Sequence, residues 1–539
     1  MITLGYNCVF IPTAGIGSRL NKKTKYLNKS LVSINNKPII AHIIDKLPKS
    51  TKFVIALGYK GELVKEYLSI AYSDRKFIYT KVWPYEGADS GLGLTLLQSQ
   101  HALNEPFIFW ACDSIIFDFD NSELNSKHNW IGLSKDTNPK DNFDFGQSED
   151  MNFRSVLLDN KSYAKEISEK GVLRNNSHPY IGIAGIKDYK KFWDFMNKGN
   201  LEEVKNKGEV FGINNLIKKN KSSFKSIDIN WIDTGNIKNF EKAKAFLDKN
   251  TFNILPKEDE EIYYHNKKII KFKNDQKFIN DRFQRSKIIK SFIPKILKKT
   301  NNFYSYEYYE GNVLSSIIDY KIFKELLTYL SKFWKKQRLN SDMTKDFQKK
   351  CYEFYYSKTL SRLNDYFETH NSKDREHIIN GSKVKRITYL FKKIDWSHIS
   401  KGIPVRFHGD LHFENIILGK KFKLLDWRQD FAGIREYGDL YYDLAKLKHG
   451  MYISHNLIKN NLYEISEATE IINIEYLRSS IYIEIEKQFD EFCVKNSLDI
   501  KKINTLTGLI FLNIAPLHHY PYSKFLFFLG KYMLHKTII

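Results

Sequence analysis

Two groups of residues in this 539-residue sequence have types and spacings suited to handling phosphate. The first opens with Ala14-Gly15-Ile16-Gly17-Ser18-Arg19-Leu20, where glycines let backbone N–H groups approach a phosphate and Arg19 adds a charged fork. The fragment stops short of the full dinucleotide fingerprint, because residue 20 is Leu, and it lacks the Lys-Ser/Thr ending of a P-loop. Its weight comes from three residues further along the chain: Lys29 in NKSLVSINNKPII, Asp113 at the end of FIFWACD, and Asp233 in Trp231-Ile232-Asp233-Thr234-Gly235. Attack of one phosphate on another gathers several negative charges, and cationic side chains with a carboxylate-bound divalent cation offset them. The second group is tighter. His408-Gly409-Asp410-Leu411-His412-Phe413-Glu414-Asn415 is followed by Leu424-Leu425-Asp426-Trp427, a spacing that suits a compact loop and then a hairpin strand carrying Asp426.

Placing these residues requires rigid elements, and the sequence supplies them in alternation. CVFIPTA at 8–14 reads as a buried parallel strand, and KPIIAHIIDKL as a core-facing helix between Pro38 and Pro48. FVIALGY at 53–59 and PFIFWACD at 106–113 repeat the strand signal, with helical stretches at 61–69 and 92–103 between them. Strand-like pieces at 180–186 and 227–232 precede a short helix at 237–248. This pattern predicts an α/β fold with an open sheet covered on both sides, and it puts Asp113 at the carboxyl edge of a strand, where α/β sites lie. Beyond residue 248 come a charged link, two candidate hairpin strands, a helix in DRFQRSKIIKSFIP and a half-buried edge strand in FYSYEYYEGNVLSS. From residue 316 onward the pattern is mainly helical, interrupted by a loop-and-strand region at 404–430.

The stretch from Gly15 through Lys29 to the Gly-Lys-Pro-like turn resembles the signature of the nucleotidyltransferase superfamily that activates sugar phosphates and phosphocholine. The resemblance covers residues 8–248 and implies a Rossmann-like open mixed sheet. It implies that Ala14, Gly15, Gly17 and Arg19 hold the nucleoside triphosphate, that Lys29 neutralises charge at the transferred group, and that Asp113 and Asp233 bind Mg²⁺. Ala88-Asp89-Ser90-Gly91-Leu92-Gly93 resembles the base-reading loop, with Ser90 and Gly91 facing the base. Its form differs from both the sugar-phosphate and the phosphocholine versions. Glu169, Lys170 and Tyr180 are candidate substrate contacts.

The second group resembles the choline-kinase and aminoglycoside-phosphotransferase family, relatives of protein kinases, over residues 255–539. That resemblance implies a bilobal, protein-kinase-like α+β domain. Asp410 would accept the proton of a substrate hydroxyl, Asn415 and Asp426 would hold Mg²⁺, His408 would brace the loop, and His412 and Trp427 would position it or the substrate. Lys271 in KIIK matches the strand lysine that pairs with ATP phosphates, with Lys268 and Lys273 as alternative registers. Glu307 and Tyr308 match the hinge that receives adenine. The family's helix glutamate has no clear counterpart here, so either Asp281 substitutes for it or the site manages without it. Asp439 and Asp443 are assigned to positioning the loop and capping a helix. Trp396, Trp427, Tyr441 and Tyr442 are candidates for a cage around an amino-alcohol cation.

The expected domain lines are therefore 1–248 (nucleotidyltransferase), 249–315 (kinase N-terminal lobe with its link) and 316–539 (helical C-terminal lobe). Together they predict a bifunctional cytoplasmic enzyme. It would phosphorylate a small alcohol, choline or ethanolamine first, with ATP, and then transfer a nucleotidyl group from CTP, with UTP or GTP as other donors. The product would be an activated precursor for bacterial surface polysaccharide or lipid decoration. A sugar kinase joined to a sugar-phosphate nucleotidyltransferase is the alternative, and a nucleotide-binding regulatory or nucleic-acid-binding protein is a further one.

Composition narrows these readings. With 42% hydrophobic and 15% aromatic residues, the chain has ample material for two or three cores. Its 85 Lys and Arg against 62 Asp and Glu leave +23, scattered in short runs that suit anionic ligands but mark no nucleic-acid module. Cys8, Cys112, Cys351 and Cys493 stand far apart with no CxxC pair, so neither a disulfide framework nor a thiolate zinc site is indicated. No secretion signal or membrane span is expected, and an oligomer is left open.

Overall fold

The computed structural model describes residues 5–117, 119–135, 153–172, 174, 177–221, 223–247 and 258–539. The expected domain line at 248 lies outside the described residues. The chain divides into two compact units, one made of Met1–Asn274 with Lys298–Ser305 and the other of Asp275–Leu297 with Tyr306–Ile539.

The first unit is built on a mixed sheet of nine strands among the described residues. Its centre is Cys8–Pro12, an almost wholly buried strand that pairs in parallel with Lys52–Leu57 on one side and Phe107–Trp110 on the other. An apolar run without alternation is what a parallel strand covered on both faces needs. Lys76–Lys81 adds a further parallel strand, absent from the sequence expectation because its ends are lysines and half its side chains are solvated. On the other flank Ser177–Ile186 runs antiparallel to Phe107–Trp110. Helices Ile39–Ile44 and Gly61–Ala71 contribute Ile40, Ile43, Val64 and Leu68 to the core on one face. Leu96, Phe192, Met196 and Ile213 come from helices that fill the other.

The strand expected at 227–232 is two strands. Phe224–Ile229 stays in the large sheet, whereas Trp231–Asp233 leaves it after Asn230 and pairs antiparallel with Ser114–Ile116, placing Asp233 opposite Ser114. This departure positions the first site.

Glu260–His265 and Lys268–Lys273 form a hairpin whose turn residues Asn266 and Lys267 have φ of 46° and 58°, the paired left-handed conformation that a tight hairpin favours. They belong to a sheet ordered Glu260–His265, Lys268–Lys273, Phe303–Glu307, Ile296–Lys299. Phe303–Glu307 is thus an interior strand, not the half-buried edge expected from its aromatic alternation, and Phe303 through Tyr306 are all buried. Tyr263, Ile270, Phe272 and Phe303 join the core of the first unit. The Tyr263 ring lies 5.1 Å from Tyr67, and its hydroxyl donates to the Leu31 carbonyl at 2.9 Å. By contacts, the strands up to Asn274 therefore group with the first unit, whereas the expected lines put 249–315 with the C-terminal lobe.

Glu261 in this hairpin accepts a hydrogen bond from Ser33 at 2.7 Å. Burial pushes its carboxyl up to about 7, against the smaller opposing effects of Ser33, Lys23 and Lys244. Its folded pKa exceeds the unfolded one, so folding takes up a proton between the two values and stability falls as pH rises through about 7. Glu261→Gln is expected to raise the denaturation midpoint above that pH and to flatten its fall; chemical denaturation at a series of pH values reads both.

The second unit is largely helical. Helix Ser341–Tyr352 runs through a π-helical turn, Glu353–Ser357, into Lys358–Thr369, and Leu440–Tyr452 packs among Ser480–Lys495 and Ile500–Ile514. The expected loop-and-strand region contains the hairpin Ile416–Leu418 with Phe422–Leu424. A further sheet, ordered Ser382–Val384, His377–Ile379, Ile471–Tyr476, Tyr463–Ala468, lies in a region expected to be helical. Ile471–Tyr476 alternates exposed and buried residues, a period of two that charged neighbours obscure in the sequence. No helix among the described residues is long and apolar enough to cross a membrane.

Candidate active sites

In the first unit the loop after Cys8–Pro12 carries Ala14, which is buried, and Gly15, where a side chain would meet nothing within 4 Å. Gly17 has φ of 70°, and a Cβ there would lie 2.8 Å from Lys29 Cβ, so glycine serves both the backbone and the approach of the lysine. Asn28 pins this region by donating to the carbonyls of Thr13 at 2.8 Å and Tyr59 at 2.6 Å. Lys29, itself buried, then reaches Asp113 at 2.5 Å. Asp233 accepts from the Gly235 N–H and from Asn239, each at 2.8 Å. Thr234 donates to the Asp113 carbonyl through both its N–H and its hydroxyl, at 2.9 Å each. A Cβ on Gly235 would sit 2.9 Å from Asp233 Oδ1 and 3.1 Å from Asp113 Oδ2, so the two carboxylates converge on this glycine.

Electrostatics separates the pair. Burial pushes Asp113 up, but the ammonium of Lys29, with Arg19, overcomes it and holds the carboxyl below its usual range. Asp233 is raised by burial and then by the negative charge of Asp113. Two converging hard oxygen donors, one strained by the other's charge, fit a divalent cation such as Mg²⁺.

The other predicted positions have neighbours of their own. Ser90 donates to the Gly87 carbonyl at 2.8 Å, and Gly91 passes so close to helix Leu201–Lys207 that a Cβ would lie 2.7 Å from the Lys205 carbonyl. Glu169 pairs with Arg154 at 3.1 Å and Lys207 at 3.4 Å. Lost hydration lowers the Lys170 ammonium, and the charges of Arg154 and Arg19 add to that while Asp113 opposes it. Tyr180 is buried in the core of the sheet's second face. Arg154, Asn28 and Asn239 were missed in the sequence; Asn28 and Asn239 have as their only signal a place beside Lys29 and one six residues after Asp233.

In the second unit the structure assembles the His408–Asn415 loop. Asp443 accepts from the N–H groups of His408 and Gly409, both at 2.7 Å, and from the Trp334 indole at 3.0 Å. Arg285, fully buried, reaches the carbonyls of Phe407 and Arg428. His408 bonds the Leu425 carbonyl at 2.7 Å, and burial keeps its imidazole neutral, down to about 3. Asn415 donates to Asp410 Oδ2 at 3.2 Å, and its carbonyl accepts from the Leu425 N–H at 2.7 Å, which sets Asp426 next to it. Asp426 has φ of 54° and pairs with Arg282 at 3.3 Å. An amide oxygen and a carboxylate on adjoining backbone again fit Mg²⁺. Asp410 is bonded by Lys446 at 2.9 Å and faces His412 at 3.7 Å; burial pushes it up, but those two cations hold it well below the usual carboxylate range. His412 also pairs with Glu414 at 2.9 Å.

Asp439 caps helix Leu440–Tyr452 through the Tyr441 N–H and takes a bond from Tyr355 at 2.7 Å. Trp427 is buried and donates to the Arg282 carbonyl at 2.9 Å. The four candidate cage rings face different neighbours: Lys502 covers Tyr441 at 4.3 Å, Trp396 packs on Tyr356 and Phe391, and Tyr442 packs on Phe354. They do not enclose a common space for a cation. Lys271 is a buried mid-strand residue, whereas Lys273 is taken by Asp259 and Glu260. Glu307 is exposed and pairs with Lys295, and Tyr308 follows it out of the strand. Asp281 is engaged by Arg435 at 3.5 Å and Lys277 at 3.6 Å. Arg285 and Lys446 went unnoticed in the sequence. Lys446 stands one turn beyond Asp443, but a lysine in this chain carries little signal.

Because Asp443 satisfies three buried donors, Asp443→Ala is expected to cost about 3 kcal/mol. Denaturant unfolding of the full chain measures it.

No family model matches the chain. In sequence it is similar to the bifunctional protein GlmU of Methanocaldococcus jannaschii, 27% identical over 262 residues that cover 48% of this chain and 58% of that protein. It is also similar to the UTP–glucose-1-phosphate uridylyltransferase AglF of Haloferax volcanii, 29% identical over 104 residues, covering 19% of this chain and 41% of that one. The chain thus spans less than two thirds of these relatives' own length. Among solved structures, UDP-glucose pyrophosphorylase complexed with UDP-glucose matches 45% of this chain and 98% of its own at 15% identity, with a TM-score of 0.37. The CTP:phosphocholine cytidylyltransferase of Streptococcus pneumoniae matches 45% and 99% at 17% identity, with a TM-score of 0.33. The sequence likeness supports a Rossmann-like nucleotidyltransferase-superfamily domain in the N-terminal half. These comparisons lend no support to a bilobal kinase fold or to kinase activity in the remainder.

Proposed function

We propose that the first unit transfers a nucleotidyl group from a nucleoside triphosphate, UTP first, to a sugar phosphate. The observation that carries the reading is the convergence of Asp113 and Asp233 at Gly235 with Lys29 seated on Asp113. The relative named for glucose 1-phosphate moves the acceptor from phosphocholine, the first sequence expectation, to the sugar alternative. A phosphate oxygen of the acceptor attacks the α-phosphorus, the bond to the β-phosphate breaks, and pyrophosphate leaves. Backbone amides at Gly15 and Gly17 with the Arg19 guanidinium bind the triphosphate, and Lys29 neutralises charge beside the α-phosphate. Asp113 and Asp233 would hold Mg²⁺, which when bound supplies Lewis-acid polarisation of the phosphoryl oxygens.

A second activity is favoured by a separate observation, the Asp410, Asn415 and Asp426 arrangement held by Asp443 and Arg285. We propose that this unit phosphorylates an alcohol with ATP. Asp410 takes the proton of the acceptor hydroxyl as its oxygen attacks the γ-phosphorus and ADP leaves, while Asn415 and Asp426 would hold Mg²⁺. Lys271, Glu307 and Tyr308 enter this reading on their sequence positions alone. A step that makes a phosphomonoester followed by one that consumes it is consecutive chemistry in one chain.

The test is a panel of ATP, CTP, UTP and GTP against sugars, sugar phosphates, choline and phosphocholine, with phosphoryl transfer and pyrophosphate release read separately. Pyrophosphate released only with a sugar phosphate supports the first reading. Release with none of the supplied monoesters overturns it, and absence of any acceptor-dependent ADP formation overturns the second.

A further inference from the structure

Beside Asp410 the second unit gathers more positive charge than its own carboxylates use. Lys446 bonds Asp410 at 2.9 Å and so already compensates it. Around this pair stand Lys358 and Arg428. Both lie over the ring of Phe354, with Lys358 Nζ at 4.4 Å and the Arg428 guanidinium at 5.0 Å from its centroid, so one aromatic ring is flanked by two cations. Phe354 in turn packs on Tyr442, one turn before Lys446 on helix Leu440–Tyr452. Arg428 is anchored to the catalytic loop: its backbone N–H donates to the His408 carbonyl at 2.9 Å, and a Cβ on Gly409 would lie 2.6 Å from Arg428 Cβ.

Among the described residues neither Lys358 nor Arg428 has a carboxylate partner; the Arg428 Nε donates only to the Asp430 carbonyl at 3.1 Å. Like charges do not collect on one ring, partly out of water, without a counter-ion to balance them. Burial, then the charges of Arg428, Lys446 and Arg362, push the Lys358 ammonium down to about 7, with Asp410 as the opposing carboxylate. Arg362 is itself paired with Asp365 at 3.5 Å. Phe354 lies in the π-helical turn Glu353–Ser357, and Lys358 follows it by one turn; such local widening of a helix recurs at functional sites.

We infer that the alcohol phosphorylated at Asp410 is an anion, a hydroxy compound whose carboxylate or phosphate group is held by Lys358 and Arg428. The inference rests on the phosphotransfer reading of the second unit and names its acceptor class. An anion held beside Phe354 by Lys358 and Arg428 neutralises both cations and presents its hydroxyl toward Asp410. A choline or ethanolamine cation would instead have to enter beside the like charges of Lys358, Arg428 and Lys446, with Lys446 already bonded to Asp410, and the four candidate rings face different neighbours.

The test offers the full chain ATP with each of several sugars in three forms, the neutral sugar, its uronate and its 6-phosphate, beside choline and ethanolamine, and follows acceptor-dependent ADP formation. The expected result is that an anionic form is preferred over its neutral counterpart by about 10-fold or more in kcat/KM, the uronate and phosphate arms telling carboxylate from phosphate. Lys358→Met and Arg428→Gln are each expected to raise the KM of that acceptor about 10- to 100-fold with the KM of ATP unchanged, and Arg428→Lys to restore part of the loss. Pyrophosphate release by the first unit reports that each variant is folded there, and an unchanged unfolding midpoint reports the rest. A neutral sugar or choline preferred over every anion overturns the inference and leaves the phosphotransfer reading standing. So does a variant that weakens ATP and acceptor alike. If no acceptor of any charge stimulates ADP formation, that reading is overturned, and the inference with it.

Discussion

Asp410→Asn in the full chain is expected to lower ATP-dependent phosphorylation about 1000-fold in kcat while nucleotidyl transfer continues at the wild-type rate. The amide keeps the size of the carboxylate, and its one oxygen can still accept from Lys446 or from Asn415, which bond different oxygens of Asp410, so the change removes proton acceptance more than shape. The loop itself is held elsewhere, by Asp443 on the His408 and Gly409 N–H groups and by Arg285 on the Phe407 carbonyl, none of which touches the substituted side chain. Radiolabelled phosphate transfer from ATP measures the loss. A variant within about tenfold of wild type would remove Asp410 from the chemistry, since a positioned proton acceptor contributes more than that.

Much of each site is legible in the sequence as residue types, and little of it as geometry. Gly17, Lys29, Asp113 and Asp233 stand out by their order along the chain, a Gly-rich turn after a strand followed by a lysine before a helix and then two aspartates close to strands. That the two carboxylates meet depends on Trp231–Asp233 leaving the large sheet to pair with Ser114–Ile116, a long-range choice that no local pattern encodes. The His408–Asn415 loop is more visible because its members are neighbours in sequence. Its supports are not: Arg285 arrives from helix Gln276–Ile288 and Lys446 from Leu440–Tyr452, and in a chain with 85 Lys and Arg one more cation is unremarkable. The same limit explains the aromatic residues. Four rings suggested a cage by composition, whereas packing sends Trp427 to the Arg282 carbonyl and Tyr441 beneath Lys502. Strand order was equally hidden, since Phe303–Glu307 reads as an edge until Ile296–Lys299, a four-residue strand of two apolar residues and two lysines too short to show a period, takes the outer position.

Nucleotidyl transfer should respond in the opposite way from phosphorylation when the first site is changed. Asp233→Asn and Lys29→Met are each expected to lower pyrophosphate release about 100- to 1000-fold and to leave ATP-dependent phosphorylation intact. The two substitutions act on different charges. Asp233 is fixed by Gly235 and Asn239, so an asparagine there keeps one of these bonds and the fold around it, yet halves the anionic charge that the converging pair presents to a divalent cation. Lys29 is the only cation bonded to Asp113 among the described residues, and removing it leaves that buried carboxylate without its counter-charge as well as the α-phosphate without a neutralising group. Raising the Mg²⁺ concentration should therefore recover part of the Asp233→Asn activity by mass action and none of the Lys29→Met activity, because only the first defect is one of metal affinity. Equal recovery of both, or of neither, in a pyrophosphate-release titration would separate Asp233 from metal binding and return it to a purely structural role beside Gly235.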